Sequence, residues 1–181
     1  MTEIHEKFRL TPAVERYVLH WGEMGTRWGV NRSVAQIHAL LYLSPKPMAA
    51  EEIAETLSIA RSNVSNSLKE LQSWGLIERT HVLGDRRDHF KSLEDTWEML
   101  MLIVEGRKRR EIDPTLKMLR DCVREAENDG QTDPEVKARI ESMLTFIDTL
   151  TTWYQQVRGL PKSTLISLMK LGGKIARFVS G

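Results

Sequence analysis

The segment Arg61–Leu71 combines side chains suited to hydrogen bonding with a helical spacing of apolar residues. Val64, Leu68 and Leu71 recur at i, i+4 and i+7, which places them on one stripe of an α-helix. The opposite face carries polar side chains and cations, namely Arg61, Ser62, Asn63, Ser65, Asn66 and Lys69. Asn pairs with adenine edges and Ser can serve several bases, and a helix ~10–12 Å across fits a major groove ~12 Å wide. We therefore predict that this face binds base edges of double-stranded DNA, the alternative being an ordinary solvated helix face.

A second group of cations lies in the turn Gly84–Asp88. Arg86 and Arg87 are adjacent there, and cations at the tip of a turn can reach phosphates or a narrow minor groove. Asp85 can hold Arg87 by a charge-assisted hydrogen bond. We predict that both arginines contact DNA, while the alternative is an ordinary charged turn. His89, in the same segment, is expected to be exposed.

The elements that must position these groups follow from local signals. Short helices are predicted at about Ala49–Leu57 and Arg61–Trp74, and Gly75 suits the position after the second one. Two extended runs follow, Ile77–Val82 and Asp88–Ser92, joined by turn residues that favour a β-hairpin. Two short helices and a hairpin form a winged helix-turn-helix.

Upstream helices complete this unit. Thr11 before Pro12 predicts the start of a first helix, and Asn31 predicts the start of a second one that ends near Ser44. The apolar stripe of the third helix, Ile53 and Leu57, and that of Arg61–Trp74 are expected to bury against the second helix, which contains Ile37, Leu40 and Leu41. We predict a DNA-binding domain over residues 10–92.

The rest of the chain is predicted to be helical. Asp113 and Asp133 each precede a proline, so new helices are expected to start there. We predict that residues 93–181, with the first helix, form a helical dimerisation and effector region, and hence a homodimer. Two apolar stripes support this interpretation: Trp97, Leu100, Met101 and Val104, and further on Met143, Leu144, Ile147 and Leu150.

Composition excludes several function classes. It does not itself indicate DNA binding, so that interpretation depends on the local residue patterns described above. The net charge is only +1, so total charge by itself does not indicate nucleic acid. A single cysteine, Cys122, excludes an internal disulfide and a cysteine-based zinc site, and we expect it to be buried. No signal peptide or membrane span is evident, which predicts a cytoplasmic protein without a membrane partner. No catalytic or metal-binding spacing is evident, so we predict no enzyme activity, no cofactor and no metal.

Three tryptophans, Trp21, Trp28 and Trp97, form a separate candidate site. Trp21 and Trp28 are seven residues apart and share a helix face, and Trp97 opens the helix after the hairpin. Aromatic boxes hold quaternary ammonium cations by cation–π attraction. Packing in the core or in a dimer is the favoured interpretation of each tryptophan, and a small-molecule effector site at these three residues is the further prediction.

The run NVSNSLKELQSWGLIER, followed by GDRRDHF, resembles the MarR-like winged-helix regulators, and within them the GbsR-type subgroup. The resemblance extends over roughly residues 20–118, through EMGTRWGVNRSVAQIHALLYLSP and GRKRREIDPTL. Asp85 and Arg87 match the Asp-x-Arg of the family's wing. Ala60 departs from the pattern, because many relatives place a capping Ser there.

The resemblance implies a sequence-specific DNA-binding transcriptional regulator, a repressor, that acts as a homodimer. Some GbsR-type regulators are associated with choline or glycine betaine metabolism, which implies a choline-like effector for the tryptophan site. The alternative function is a winged helix that serves as a protein-interaction module, without sequence-specific DNA binding.

Overall fold

The computed structural model describes residues 8–179, and the side chains of residues 8–171. This part of the chain is mainly helical, with one small sheet, and it confirms the predicted fold class. The helices are α1 Pro12–Arg27, α2 Arg32–Leu43, α3 Ala50–Leu57, α4 Arg61–Ser73, α5 Thr96–Arg107, α6 Asp113–Asn128, α7 Pro134–Arg158 and α8 Lys162–Val179. The strands are β1 Met48–Ala49, β2 Ile77–Val82 and β3 Asp85–Ser92.

The chain divides into two compact units, and the division falls between Val104 and Glu105, inside α5. The domain boundary predicted after residue 92 stays a prediction, and the last two residues of the predicted 93–181 region lie outside the described residues. Within residues 8–179, none of the helices has the length and apolar character that crossing a bilayer would need.

The sheet is antiparallel with strand order β1-β3-β2. The hairpin was predicted, but β3 begins at Asp85 rather than at Asp88, because Asp85 pairs with Val82 around a turn in which Gly84 has φ +86°. Strand β1 was missed; it pairs Met48 with Phe90 and Ala49 with His89. A strand of two residues directly after a proline is too short to show an alternation of apolar and polar side chains, so no sequence pattern indicates it.

One hydrophobic core joins α2, α3 and α4 to the sheet. Ile37, Leu40, Ile53 and Val64 are fully buried, which confirms the predicted stripes. Ile59 fills the corner between α3 and α4, as its half-buried side chain packs against this core. The chain turns there through Ser58, whose φ of +52° lies in the left-handed region.

Helices begin at or directly after all four predicted positions, and the predicted side-chain caps form at three of them. Asn31 accepts a hydrogen bond from the Ser33 amide at 2.8 Å, Asp133 caps α7 in the same way, and Thr11 caps α1. The prediction that Asp113 caps a new helix is wrong. The chain continues from α5 into α6 through one π-helical turn, and the Asp113 carboxylate instead accepts from Lys108 Nζ at 2.7 Å. Pro114 lacks an N–H, so one helical hydrogen bond is missing directly after this turn.

Helix α7 has two apolar stripes with different surroundings. Leu144 and Ile147 are half-buried, whereas Met143 and Leu150 are exposed. The predicted stripe of four residues therefore mixes two faces, because it spans about a third of a turn around the helix axis. The exposed stripe consists of Met143, Phe146, Leu150 and Trp153, with exposed fractions of 51%, 60%, 49% and 60%.

On α5, Met99 is buried, Leu102 and Ile103 pack against the core, and the predicted stripe lies more open. Leu100 is exposed, and the other three members of that stripe are half-buried. Cys122, expected to be buried, is half-buried, with its Sγ 3.6 Å from Sδ of Met118.

Candidate nucleic-acid interface

The two faces of α4 have the environments that its sequence predicts. Val64, Leu68 and Leu71 are at most 2% exposed and lie in the core. All six predicted DNA-binding residues of this helix are exposed: Arg61, Ser62, Asn63, Ser65, Asn66 and Lys69. Ser67, between the two stripes, is buried as well. The structure thus brings the predicted polar side chains together on one uncovered helix face.

The start of α4 is held by its backbone and by tertiary packing. Ala60 occupies the N-cap position and supplies no side-chain hydrogen bond, as its methyl group predicts. Its carbonyl accepts from the Val64 amide at 3.2 Å, so the first turn still forms. At the other end Gly75 adopts φ +72°, and the Leu76 amide donates to the Leu71 carbonyl, which closes the helix.

The wing, which is the β2–β3 hairpin Ile77–Ser92, contains the predicted contact between Asp85 and Arg87. Arg87 Nε lies 3.0 Å from both carboxylate oxygens of Asp85, and the Arg87 amide donates to the same carboxylate at 2.9 Å. These hydrogen bonds hold the pKa of Asp85 far below its usual range and raise the pKa of Arg87. The pair is therefore ionised at any pH at which the protein is studied.

The sequence does not reveal the two ion pairs that join these cations to α3. Arg87 Nη2 donates to Glu52 Oε1 at 3.0 Å, and Arg61 forms an ion pair with Glu51. Glu52 also accepts from the Ala49 amide at 3.3 Å through its other oxygen. Its place in the first turn of a helix predicts the bond to Ala49, but the contact with Arg87, 35 positions away, depends on the tertiary fold.

The predicted DNA-binding surface consists of the exposed face of α4 and the two wing arginines. Its two remaining cations, Lys69 and Arg86, differ from Arg61 and Arg87. Lys69 and Arg86 are exposed. Neither forms an ion pair with any residue that the structure describes. Arg86 is thus the wing arginine that is available to a phosphate group.

The prediction that His89 is exposed is wrong. Only 4% of its surface is accessible, because β3 is the central strand and pairs on both edges, with Ala49 and Thr80. His89 Nδ1 lies 3.0 Å from the carbonyl oxygen of Arg87, and Nε2 lies 3.4 Å from Asp85. The imidazole therefore contacts the Asp85–Arg87 segment of the wing through both of its ring nitrogens.

The three tryptophans of the predicted effector site differ in their exposure to solvent. Trp21 and Trp28 expose 40% and 52% of their surfaces, and Trp97 is half-buried. The Trp21 ring lies 5.9 Å from the Tyr17 ring and also contacts His20. In the described part of the chain no ring contact joins Trp21 to Trp97. The same residues contain no group of three His, Cys, Asp or Glu side chains that could hold a metal ion.

The exposed polar face of α4, the hairpin beside it and the core behind it define a winged helix-turn-helix protein. Residues 28–88 match the model of the MarR family. Two proteins of Bacillus subtilis (strain 168) are similar over most of their length. YvaV, named as an HTH-type transcriptional regulator, is 17% identical over 150 residues, 82% of this chain and 85% of its own. The HTH-type transcriptional repressor OpcR is 18% identical over 137 residues, 74% of each chain.

A crystal structure of a transcriptional regulator has the same fold, with a TM-score of 0.62 and 21% identity. It is matched over 82% of this chain and 97% of that one. The chain therefore has a winged-helix fold, and its residues 28–88 are similar to the MarR family. Its assignment to the GbsR-type subgroup stays a prediction.

Proposed function

We propose that this protein is a sequence-specific transcriptional repressor that binds its operator as a two-fold symmetric dimer. The observation that carries the proposal is the exposed face of α4, where Asn63, Ser65 and Asn66 lie in the N-terminal part of the helix. Recognition helices reach base edges with their N-terminal residues. Asn and Ser are short enough to require close approach, and no other element among the described residues covers them.

A gel-shift experiment on the DNA upstream of the protein's own gene tests the proposal, with a scrambled duplex as competitor. Specific binding survives an excess of the scrambled duplex. Equal competition by both duplexes contradicts sequence-specific recognition and favours the alternative, a winged helix that binds protein. Transcription of a reporter behind the same DNA then distinguishes a repressor from an activator.

Dimer formation is supported by the second unit. From Ser142 to Gln156, α7 carries a single charged residue, Asp148, which pairs with Arg120, although charged residues make up about 25–35% of an ordinary surface. Met143, Phe146, Leu150 and Trp153 follow one another at spacings of three and four within this stretch, which is the pattern of a helix that packs against a partner helix. Symmetric half-sites are then expected about one turn of DNA apart, ~34–36 Å.

The proposal also includes a site for a small-molecule effector at the tryptophans. Trp21 and Trp28 expose 40% and 52% of their surfaces, and exposed aromatic rings can bind a choline-like cation, with Trp97 as a further candidate wall. Calorimetry with choline and glycine betaine tests the ligand choice, and Trp21→Leu serves as the comparison. Heat from the parent protein that disappears in the variant supports the site, and absence of heat over a wide concentration range rejects these ligands.

A further inference from the structure

The first turn of α3 carries two adjacent carboxylates that each hold a cation of a different DNA-facing element. Successive residues on a helix point about 100° apart, so Glu51 and Glu52 diverge. Glu51 pairs with Arg61, the first residue of α4, and Glu52 pairs with Arg87 of the wing. The two elements predicted to contact DNA are thus joined through a single turn of a third element.

These ion pairs contribute little to holding the fold together. The side chains of Arg61 and Arg87 are 70% and 42% exposed, and ion pairs in contact with water contribute little to stability. Their effect on the charge of the surface is larger. Two of its four cations are neutralised, so only Lys69 and Arg86 offer an unpaired positive charge among the described residues of this surface.

The position of Glu51 adds a second reason to expect competition with DNA. The N-terminal end of a helix attracts anions, and α4 has no acidic residue in its own first turn. Glu51 supplies the anion there, from the neighbouring helix. A phosphate group is bound by the same features, namely a guanidinium beside a helix N-terminus.

We propose that Glu51 and Glu52 form an acidic restraint that limits the affinity of the surface for the DNA backbone. In the free protein the two carboxylates occupy the guanidinium groups that phosphates would otherwise bind. While the pair with Glu51 persists, Arg61 binds no phosphate, and the carboxylate repels the nearby DNA backbone. The inference rests on the proposed function, because it takes DNA as the partner of this surface.

The restraint differs between the two arginines. Among the described residues Arg61 has one carboxylate partner, whereas Arg87 is held by Asp85 as well as by Glu52. Glu51→Gln therefore frees its arginine fully, and Glu52→Gln frees its arginine only in part. Gln at position 52 can still accept from the Ala49 amide, so the helix start is preserved.

Binding to a short duplex of mixed sequence, measured from about 50 to 200 mM salt, tests the restraint without knowledge of the operator. Each freed arginine that meets a phosphate steepens the slope of log affinity against log salt by about 0.9, so Glu51→Gln is expected to add about 2 in a dimer. Glu52→Gln is expected to add less. Glu135→Gln is the matched control, because it removes the same charge from an exposed pair with Arg139 in the other unit.

The outcomes separate this inference from the proposed function. A parent protein without salt-dependent binding contradicts the DNA-binding function itself. Salt-dependent binding by the parent, with an unchanged slope in Glu51→Gln, contradicts the restraint alone. Weaker binding by Glu51→Gln also overturns it, since that result makes the carboxylate a support that positions Arg61 for DNA. A slope that steepens equally in Glu135→Gln reduces the effect to net charge and overturns it as well.

Discussion

Asp85 and Arg87 form an ion pair at the start of β3, with Arg87 Nε 3.0 Å from both oxygens of the carboxylate. Both wing arginines were predicted to contact DNA, but this pairing makes them different. Arg87 is bound to two carboxylates, and Arg86 is exposed beside it without an ion pair among the described residues.

We therefore expect Arg86→Ala to have the larger effect on backbone binding. If each protomer binds one phosphate through Arg86, the variant lowers the salt slope by about 2 in a dimer, whereas Arg87→Ala lowers it less. Affinity is expected to fall about equally for operator and random DNA. Equal slopes for Arg86→Ala and the parent protein would mean that the wing tip does not touch phosphate, and a weakening confined to A·T-rich flanks would indicate minor-groove binding instead.

Base recognition is tested by Asn63→Ala and Asn66→Ala. Each variant is expected to weaken operator binding by about 1–3 kcal/mol where the amide makes a bidentate base contact. Gln72→Ala is the matched control, because Gln72 is an exposed amide on the same helix but near its C-terminal end. If all three variants bind the operator as the parent does, α4 is not the recognition helix.

The sequence predicts the inner and outer faces of α4 because a period of 3.6 residues determines both at once. It also predicts the bond from Asp85 to Arg87, since residues two apart in a turn meet without help from the rest of the fold. The ion pairs of Glu51 and Glu52 were missed because their partners belong to other elements of the structure. No local sequence pattern indicates a contact between residues that the tertiary fold brings together. His89 was misplaced for the same reason, since strand β1 that covers its edge is too short to be recognised.

The uncapped start of α4 offers a gain in stability. Ser at position 60 can accept a hydrogen bond from a free amide of the first turn, so Ala60→Ser is expected to raise the free energy of unfolding by about 1 kcal/mol. Ala138→Ser is the control, because position 138 lies inside α7, where Ser cannot cap. Urea midpoints measure both, and a midpoint that rises equally in both variants, or in neither, contradicts the capping explanation.

Acid sensitivity is expected from His38. Burial lowers the pKa of His38 to about 4, below the ~6.5 of an exposed imidazole. The unfolded chain then binds a proton between these two values that the folded protein does not, so stability is present above pH ~6.5 and is lost as the pH falls toward about 4. The decrease amounts to about 3 kcal/mol at most.

Unfolding in urea at a series of pH values compares the parent with His38→Gln, which is expected to flatten the curve in this window. Ser92→Ala is the matched control, since it removes the 3.4 Å contact with His38 Nε2 but leaves the histidine in place. A His38→Gln variant that keeps the full pH dependence would assign the acid sensitivity to another group.

The exposed stripe of α7 is expected to hold the dimer together. Phe146 and Trp153 are each 60% exposed, and large aromatic side chains at the centre of an interface commonly contribute about 2 kcal/mol or more to binding. The double variant Phe146→Asp/Trp153→Asp places two charges in each copy of the stripe, and light scattering is expected to show a monomer. Thr152→Asp, an exposed position turned well away from the stripe, is expected to stay dimeric. A double variant that remains dimeric and helical moves the interface elsewhere, with the open side of α5 as the next surface to test, and a monomeric parent protein contradicts the dimer itself.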